Sequence, residues 1–187
     1  MNDALHRISA NPRNYRPVMT NHFELTIHDL DGMTNWADPD KEPIVDSDLT
    51  LKIATRSWAG PKLSQQSVKV QKYNLEMEFP GRMNSFESST TFEVYVDKSA
   101  WDILYSWKMA SGNQETGDVG DPWEYWKTVD VDVLTGNKNT LIGTWNLRNC
   151  WLSDLQDVTF DNSANEIKTA QVTMKYFSPS WRKAKNQ

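Results

Sequence analysis

Histidine and acidic residues are the side chains in this sequence with the right chemistry for a metal site. Three histidines are scattered along the chain, at His6, His22 and His28. None is followed at helical spacing by a second ligand, as a zinc site on a helix requires. The segment "HDLDG" at 28–32 begins like a calcium-binding loop, but Met33 stands at a ligand position and Thr34 where that loop needs glycine. We therefore expect a solvated acidic loop there and no bound metal.

Nucleophilic and cofactor-binding chemistry has no clear place in the sequence either. Cys150 is the one cysteine of the chain, which excludes an internal disulfide and a cysteine zinc cluster. Its apolar neighbours Leu147, Trp151 and Leu152 predict a buried structural thiol. The sequence has no nucleophile elbow, phosphate-binding loop or dinucleotide fingerprint, and nothing selects a carboxylate pair for glycoside hydrolysis. We expect no catalytic residue, no enzymatic activity and no cofactor.

Charge and composition favour a soluble protein that does not bind nucleic acid tightly. The 187 residues carry 20 Lys and Arg against 25 Asp and Glu, a formal net charge of -5, whereas a dedicated nucleic-acid binder usually shows a basic patch. No apolar run approaches the ~18 residues of a membrane span, and the N-terminal stretch lacks the apolar core of a secretory signal. We expect a reducing compartment and no membrane contact. Nine tryptophans suit protein cores and interfaces equally.

The elements that must position any functional residue are mostly strands, because apolar and polar residues alternate with period two. The clearest case is 169–177, where apolar residues at 170, 172, 174 and 176 alternate with polar residues at 169, 171, 173 and 175. In 67–79 the alternation changes parity near Gln71, which predicts a β-bulge within one long strand. The other predicted strands are 22–27, 49–55, 90–96, 127–134 and 140–152.

One helix is predicted, at 97–112, with Asp97 or Ser99 as N-cap and Gly112 at its end. Its apolar residues recur at i, i+3, i+4 and i+7, which gives a stripe that would lie on a sheet. The stripe consists of Ala100, Ile103, Leu104 and Trp107.

Together these elements predict one domain over 1–187 of the mainly-β class. We expect two packed antiparallel sheets, as a β-sandwich or partial barrel, with one flanking α-helix and extended loops. The segments without a regular period are an N-terminal arm at 1–21, an extended loop at 28–48, an irregular stretch at 56–66 and a basic C-terminal tail at 178–187.

Several motifs, taken in order, resemble the tail tube proteins of contractile-tailed bacteriophages. The segment "LRNCWLSDLQDVTFDNSANEIKTAQVTMKYF" resembles the end of such proteins, in which a turn, a short strand ending in Asp and an "S-x-N-E-I" motif precede a long final strand. Trp151, Asp161, Ser163, Asn165, Glu166 and Ile167 occupy those places. The segments "NPRNYRPVMTNHFELTI", "KIATRSWAG" and "WDILYSWKMASG" resemble the family's entry arm, the segment after its second strand and its helix.

This resemblance implies a structural protein of a phage tail. Six copies would form a ring whose strands join in one barrel, and stacked rings would form the inner tube that conducts the DNA genome into the host. The implied partners are further copies of the chain, the tail sheath protein, the baseplate tube initiator and the tail terminator. Genomic double-stranded DNA would pass through the lumen without tight binding. The implied location is the virion, after assembly in the host cytoplasm.

The resemblance also gives a role to residues that have no chemistry of their own. Aromatic and proline residues in the irregular segments are candidate contacts between subunits or rings: Tyr15, Trp36, Trp58 and Pro61. A barrel wide enough for DNA has a polar inner face, so polar residues on the strands are candidate lumen residues: Glu76, Glu78, Asp130, Asp132, Gln171 and Thr173.

Two further interpretations fit the sequence. The chain could instead be a baseplate tube initiator, or the tube of a related machine such as a tailocin or a type VI secretion system. From a different class, a Trp-rich acidic β-sandwich is also typical of carbohydrate-binding modules, with Trp36 or Trp58 as stacking platforms.

Overall fold

The computed structural model describes residues 22–37, 43–83, 86–95, 99–113, 116–135, 140–157 and 166–184. These residues form nine strands and three helices, which confirms the mainly-β expectation. The strands are β1 (Phe23–Ile27), β2 (Thr55–Trp58), β3 (Gln65–Lys72), β4 (Leu75–Met83), β5 (Phe86–Glu93), β6 (Lys127–Leu134), β7 (Leu141–Asp157), β8 (Thr169–Tyr176) and β9 (Ser178–Lys183). The helices are α1 (Ser47–Ala54), α2 (Ala100–Ser111) and α3 (Pro122–Tyr125).

The long strand β7 connects the two halves of the main sheet. Its first part pairs with β6 on one side and β9 on the other, and its second part, from Trp151 onward, pairs with β8. Strand order in this seven-stranded antiparallel sheet is β1-β6-β7-β8-β5-β2, with β9 beside β7. Asn149, whose φ is 55°, lies where β7 passes from one half to the other. The antiparallel halves are therefore continuous, and β3 and β4 form a separate two-stranded sheet.

One face of the main sheet packs against α1 and α2 to form the core. Strand β6 contributes Val129 and Val131 to it, and β8 contributes Ala170, Val172 and Met174. The polar residues between them lie on the opposite face, because successive side chains of a strand alternate. The alternation in 169–177 was therefore a reliable prediction of a half-buried strand.

Helix α2 lies where the sequence predicted a helix, and its N-cap is the second of the two candidates. The side chain of Ser99 accepts a hydrogen bond from the backbone N–H of Asp102 at 3.3 Å, which satisfies one of the helix's unpaired donors. All four residues of the predicted apolar stripe are buried in the core.

The predicted strand at 49–55 is wrong, because the chain forms α1 there and only then enters β2. Alternate Leu49, Leu51 and Ile53 suggested a strand, but Leu51 is fully buried while Leu49 and Ile53 are 56% and 64% exposed. The buried positions are Ser47, Thr50, Leu51 and Ala54, which have the i, i+3, i+4, i+7 spacing of a helix face. A short apolar run cannot distinguish these two periods without its packing partner.

The predicted single strand at 67–79 is also wrong, because a turn at Tyr73 and Asn74 divides it into β3 and β4. Tyr73 has a φ of 57°, and two-residue hairpin turns need such a positive φ. The parity change near Gln71 therefore marked a hairpin and not a bulge. Cross-strand pairs such as Val68 with Phe79 and Val70 with Met77 fix its register.

The two segments expected to be an exposed loop and a tail are more integrated than predicted. Leu30 and Ile44, near the two ends of the 28–48 loop, are both buried, and Gly32 N–H donates to the carbonyl of Ile44 at 2.8 Å. Residues 178–183 of the expected tail form β9, with Trp181 opposite Trp145 of β7. In addition, α3 lies within 113–125, where the sequence pattern predicted neither a helix nor a strand.

Candidate functional site

The hairpin of β3 and β4 is the first candidate assembly surface, because one of its faces is apolar and lies open to solvent. This apolar hairpin face consists of Val68, Val70, Leu75, Met77 and Phe79, with Lys72 at its tip. The opposite face is charged: Lys69 Nζ lies 2.6 Å from Glu76 and 3.3 Å from Glu78. These ion pairs are exposed and contribute little stability.

A hairpin of this kind is poorly stable by itself. Two strands alone are marginal in water, and stability needs a third strand or a helix packed on the apolar face. In the described part of the chain, β3 and β4 pair with each other and with no further strand. An exposed apolar face of this extent is typical of a protein–protein contact.

The polar face of the main sheet is the second candidate surface, and it holds four of the six predicted lumen residues. Asp130 accepts a hydrogen bond from Asn146 Nδ2 at 2.6 Å and lies 3.1 Å from His28 Nε2. Asp132 accepts a hydrogen bond from the Thr144 hydroxyl. These bonds keep the two carboxylates of β6 in fixed positions beside β7.

The other two predicted lumen residues on this face lie together on β8. Gln171 and Thr173 line a shallow polar depression of about 160 Å³, which Asp154 and Gln156 of β7 also line. Glu76 and Glu78, in contrast, lie on the charged face of the hairpin and not on the main sheet. The structure therefore separates the predicted lumen residues into two groups on different elements.

The predicted contact residues differ in their exposure and in how they pack on the rest of the chain. Trp36 is 42% exposed, and its backbone N–H donates to the Ser106 hydroxyl at 3.0 Å, so the loop is held against α2 while the indole remains available. Trp58 packs partly on the core, and its buried Nε1 has no hydrogen-bond partner among the described residues. Pro61 is half-buried. Tyr15 lies outside the described residues.

Sequence reasoning missed the two most exposed aromatic side chains of the described residues. Tyr73 is 95% exposed at the hairpin tip, in a left-handed backbone conformation that a bulky residue rarely adopts. In the sequence, this turn was marked by the change of apolar–polar alternation near Gln71, just before the Tyr73-Asn74 dipeptide. Trp123 of α3 is 74% exposed, and no periodic pattern of the sequence marks it.

Two buried ionisable groups of the described residues have shifted pKa values. The buried thiol of Cys150, in contact with the core, has its pKa raised to about 12 by burial, which makes it a poor nucleophile. Lys127 of β6 lines a cleft of about 650 Å³ next to α2, and burial lowers the pKa of its ammonium group.

No helix among the described residues is long and apolar enough to span a membrane.

A family model shows which family this chain belongs to. The model described as "T4-like virus tail tube protein gp19" matches residues 44–178, which include the hairpin, α2 and the whole main sheet except β1 and most of β9. The chain belongs to this tail tube family. The predicted class, a structural tail tube protein, is thereby confirmed. The family match does not support the alternative of a carbohydrate-binding module. A search of curated protein sequences found no match to the chain.

Three solved structures illustrate which proteins share this fold. A chain of the sheath-tube complex of the extracellular contractile injection system PVC, in its extended state, has a TM-score of 0.66 at 17% identity, covering 94% of this chain and 97% of that chain. A chain of the anti-feeding prophage cap (AFP tube terminating cap) gives 0.64 at 18%, covering 90% and 93%. One from the AFP baseplate, 6-fold symmetrised, gives 0.61 at 12%, covering 90% and 97%. At these identities the likeness shows the tube fold and nothing finer.

Proposed function

We propose that six copies of this chain form a ring, and that the rings stack into the inner tube of a contractile phage tail. The observation that carries this proposal is the apolar hairpin face on a chain of a tail tube family. In a protein that assembles with itself, a neighbouring subunit covers an exposed apolar surface of this kind. Support for six-fold symmetry comes from the baseplate structure that shares the fold.

The edges of the main sheet support the same assembly. In the described part of the chain, β1 and β2 are the end strands of the sheet order, and β9 pairs with β7 alone. Each of these three strands leaves one row of backbone donors and acceptors open. Exposed edges invite pairing with another chain. In a closed ring, edges of adjacent subunits pair with each other or with the hairpin, so that no edge remains open to aggregation.

The tube conducts double-stranded DNA, and its wall lets the DNA slide past without binding it tightly. Each Lys or Arg contact to a phosphate adds salt-dependent affinity, which a six-fold ring would repeat around the DNA. The polar face of the main sheet offers Asp130, Asp132, Gln171 and Thr173. The same face carries Asp154 of β7 beside the bases Lys175 of β8 and Arg182 of β9, so its bases do not outnumber its acids. A neutral or negative wall repels the DNA weakly and keeps it centred in the lumen.

The remaining parts of the proposal follow from the position of a tube within a tail. The outer wall contacts the tail sheath, and the two ends of the tube contact the baseplate tube initiator and the tail terminator. The protein has a structural role with no catalysis. It resides in the virion after assembly in the host cytoplasm.

Native mass spectrometry of the purified chain tests the ring directly. The expected result is a complex with six times the mass of the 21.6 kDa chain, together with multiples of that complex. A different closed stoichiometry, or a chain that remains monomeric at every concentration, would contradict the proposal.

A further inference from the structure

The described part of the chain has a second exposed apolar surface, which lies on α1. This α1 stripe consists of Val45, just before α1, and of Leu49 and Ile53 on its outer side. All three are exposed, although the rest of α1 packs on the core through Leu51 and Ala54. A helix with apolar residues on both its inner and outer sides is usually buried on both.

From these two surfaces we infer that the apolar hairpin face of one subunit packs on the α1 stripe of a neighbouring subunit. The inference rests on the proposed self-assembly and names the contact that produces it. A helix is one of the two supports that stabilise a two-stranded hairpin. The α1 stripe is an exposed helix side of the kind that the hairpin lacks within the described part of its own chain.

The dimensions of the two surfaces agree. Leu49 and Ile53 are one helical turn apart, about 6 Å along the axis. Val68 and Val70 are two residues apart on β3, about 7 Å along the strand. The two rows therefore have nearly the same spacing, and Phe79 and Met77 on β4 widen the hairpin face beside them.

The charges around the two surfaces also agree. Five of the six residues on the hairpin face are apolar, and the sixth is Lys72 at the tip. The α1 stripe begins beside Asp46 and Asp48, and the exposed Lys52 near its other end already pairs with Glu24 at 2.6 Å. Because Lys72 and these acids carry opposite charges, the tip of the hairpin would lie at the N-terminal end of α1. The base of the hairpin would then lie near Ile53.

Other exposed aromatic side chains are weaker receivers of the hairpin. Phe177 already packs edge-to-face on Trp126, with ring centroids 5.3 Å apart, and Trp181 packs on Trp145 at 5.2 Å. Trp123 lies on α3, a helix of four residues that is too short to cover a hairpin face. The α1 stripe offers a longer apolar row.

Disulfide cross-linking between separately tagged chains tests this contact. Chains with Leu49→Cys are mixed with chains carrying Val70→Cys, assembled into tubes that electron microscopy verifies, and oxidised. A disulfide forms only where the two Cβ atoms come within about 4.5 Å. The native Cys150 is buried and does not compete. A second pair, Leu49→Cys with Phe79→Cys, guards against a position that disturbs assembly.

The matched control is Gln71→Cys, which is adjacent to Val70 but lies on the charged face of the hairpin. The expected result is a dimer that carries both tags for Val70→Cys or Phe79→Cys, and none for Gln71→Cys. Tubes that form normally but give no mixed dimer would overturn the α1 contact while leaving the proposed tube intact. Equal cross-linking of Gln71→Cys, or cross-linking of the hairpin to Trp123→Cys instead, would also overturn it. Failure of the unmodified chain to assemble would contradict the proposed function itself.

Discussion

The indole Nε1 of Trp107 donates a hydrogen bond to the backbone carbonyl of Tyr125 at 2.8 Å. Trp107 is fully buried in the core stripe of α2, whereas Tyr125 ends the short helix α3. The bond satisfies the one polar group of the buried indole and attaches the segment before β6 to α2. This contact links the helix to the sheet that would form the tube wall.

Replacing Trp107 by alanine should therefore strongly destabilise the protomer. The lost packing and the cavity predict a decrease of about 3–5 kcal/mol in the free energy of unfolding, measured by urea denaturation. The matched control is Trp123→Ala, which removes the same side chain from a 74% exposed position and should change stability by about 0.5 kcal/mol or less. A decrease of less than about 1 kcal/mol for Trp107→Ala would show that α2 does not carry this part of the core.

A charge on the apolar hairpin face should prevent assembly without unfolding the protomer. Phe79→Glu should leave the free energy of unfolding within about 0.5 kcal/mol, because the hairpin makes few contacts with the rest of its own chain. Sedimentation should show the loss of tubes. Ser67→Glu adds the same charge to the opposite face, where it lies across from Pro80, and should assemble normally. Tubes of Phe79→Glu at wild-type yield would exclude the hairpin face from subunit contacts.

Lysines on the polar face of β8 should convert a passive wall into one that holds DNA. The double variant Gln171→Lys and Thr173→Lys should assemble, since both side chains lie on the polar face and line a solvent-filled depression. Tubes of this variant should bind duplex DNA with an affinity that falls steeply with salt, by a slope of about -0.9 per phosphate contact. Genome ejection from phage that carry the variant should slow.

The matched control for the lumen experiment replaces the same two residues by glutamate. These tubes should resemble the wild type in having no appreciable affinity for DNA at physiological salt. Tight binding of duplex DNA by the wild-type tube, persisting at high salt, would indicate a DNA-holding role and contradict the sliding model.

Alkaline pH should destabilise the protomer through two buried acids. Burial raises the pKa of Cys150 from 9.0 to about 12, and burial likewise raises the pKa of Tyr176 from 10.0 to about 12. Between these values the unfolded chain has lost protons that the folded chain retains, so the free energy of unfolding falls as pH rises from about 9 to about 12. Below pH 9 both contributions to stability are fully present.

Urea denaturation across this pH range measures the effect. The variant Cys150→Ala removes the first of the two acids and should show a shallower decline between pH 9 and 10. The native thiol should also resist alkylation at pH 8 until the protein is unfolded. Rapid alkylation of the folded protein would contradict the burial of Cys150.

The sequence predicted best those elements whose partners lie within the same chain. Strands β6 and β8 and helix α2 alternate or repeat with the period of their own buried face, and each packs on the single core. Ser99 could be named as a cap because its side chain acts on a backbone group only three residues away. Local patterns of this kind do not depend on the rest of the assembly.

The sequence failed where apolar residues point away from the core. Leu49 and Ile53 are apolar residues that remain exposed in the described part of the chain, so the sequence of α1 has the alternation of a strand. The hairpin was obscured in the same way, because its apolar face continues across the turn at Tyr73. Both errors fall on the surfaces that we assign to subunit contacts, where the sequence serves a neighbour as well as its own fold.

Negative-stain electron microscopy of the purified chain is the measurement that tests the central claim most directly. A tail tube protein with the hairpin and sheet edges described above should form rings, or tubes of stacked rings, with an open lumen and six subunits in the end-on view. Small, monodisperse particles of a single 21.6 kDa chain, at concentrations where tube proteins assemble, would contradict the account.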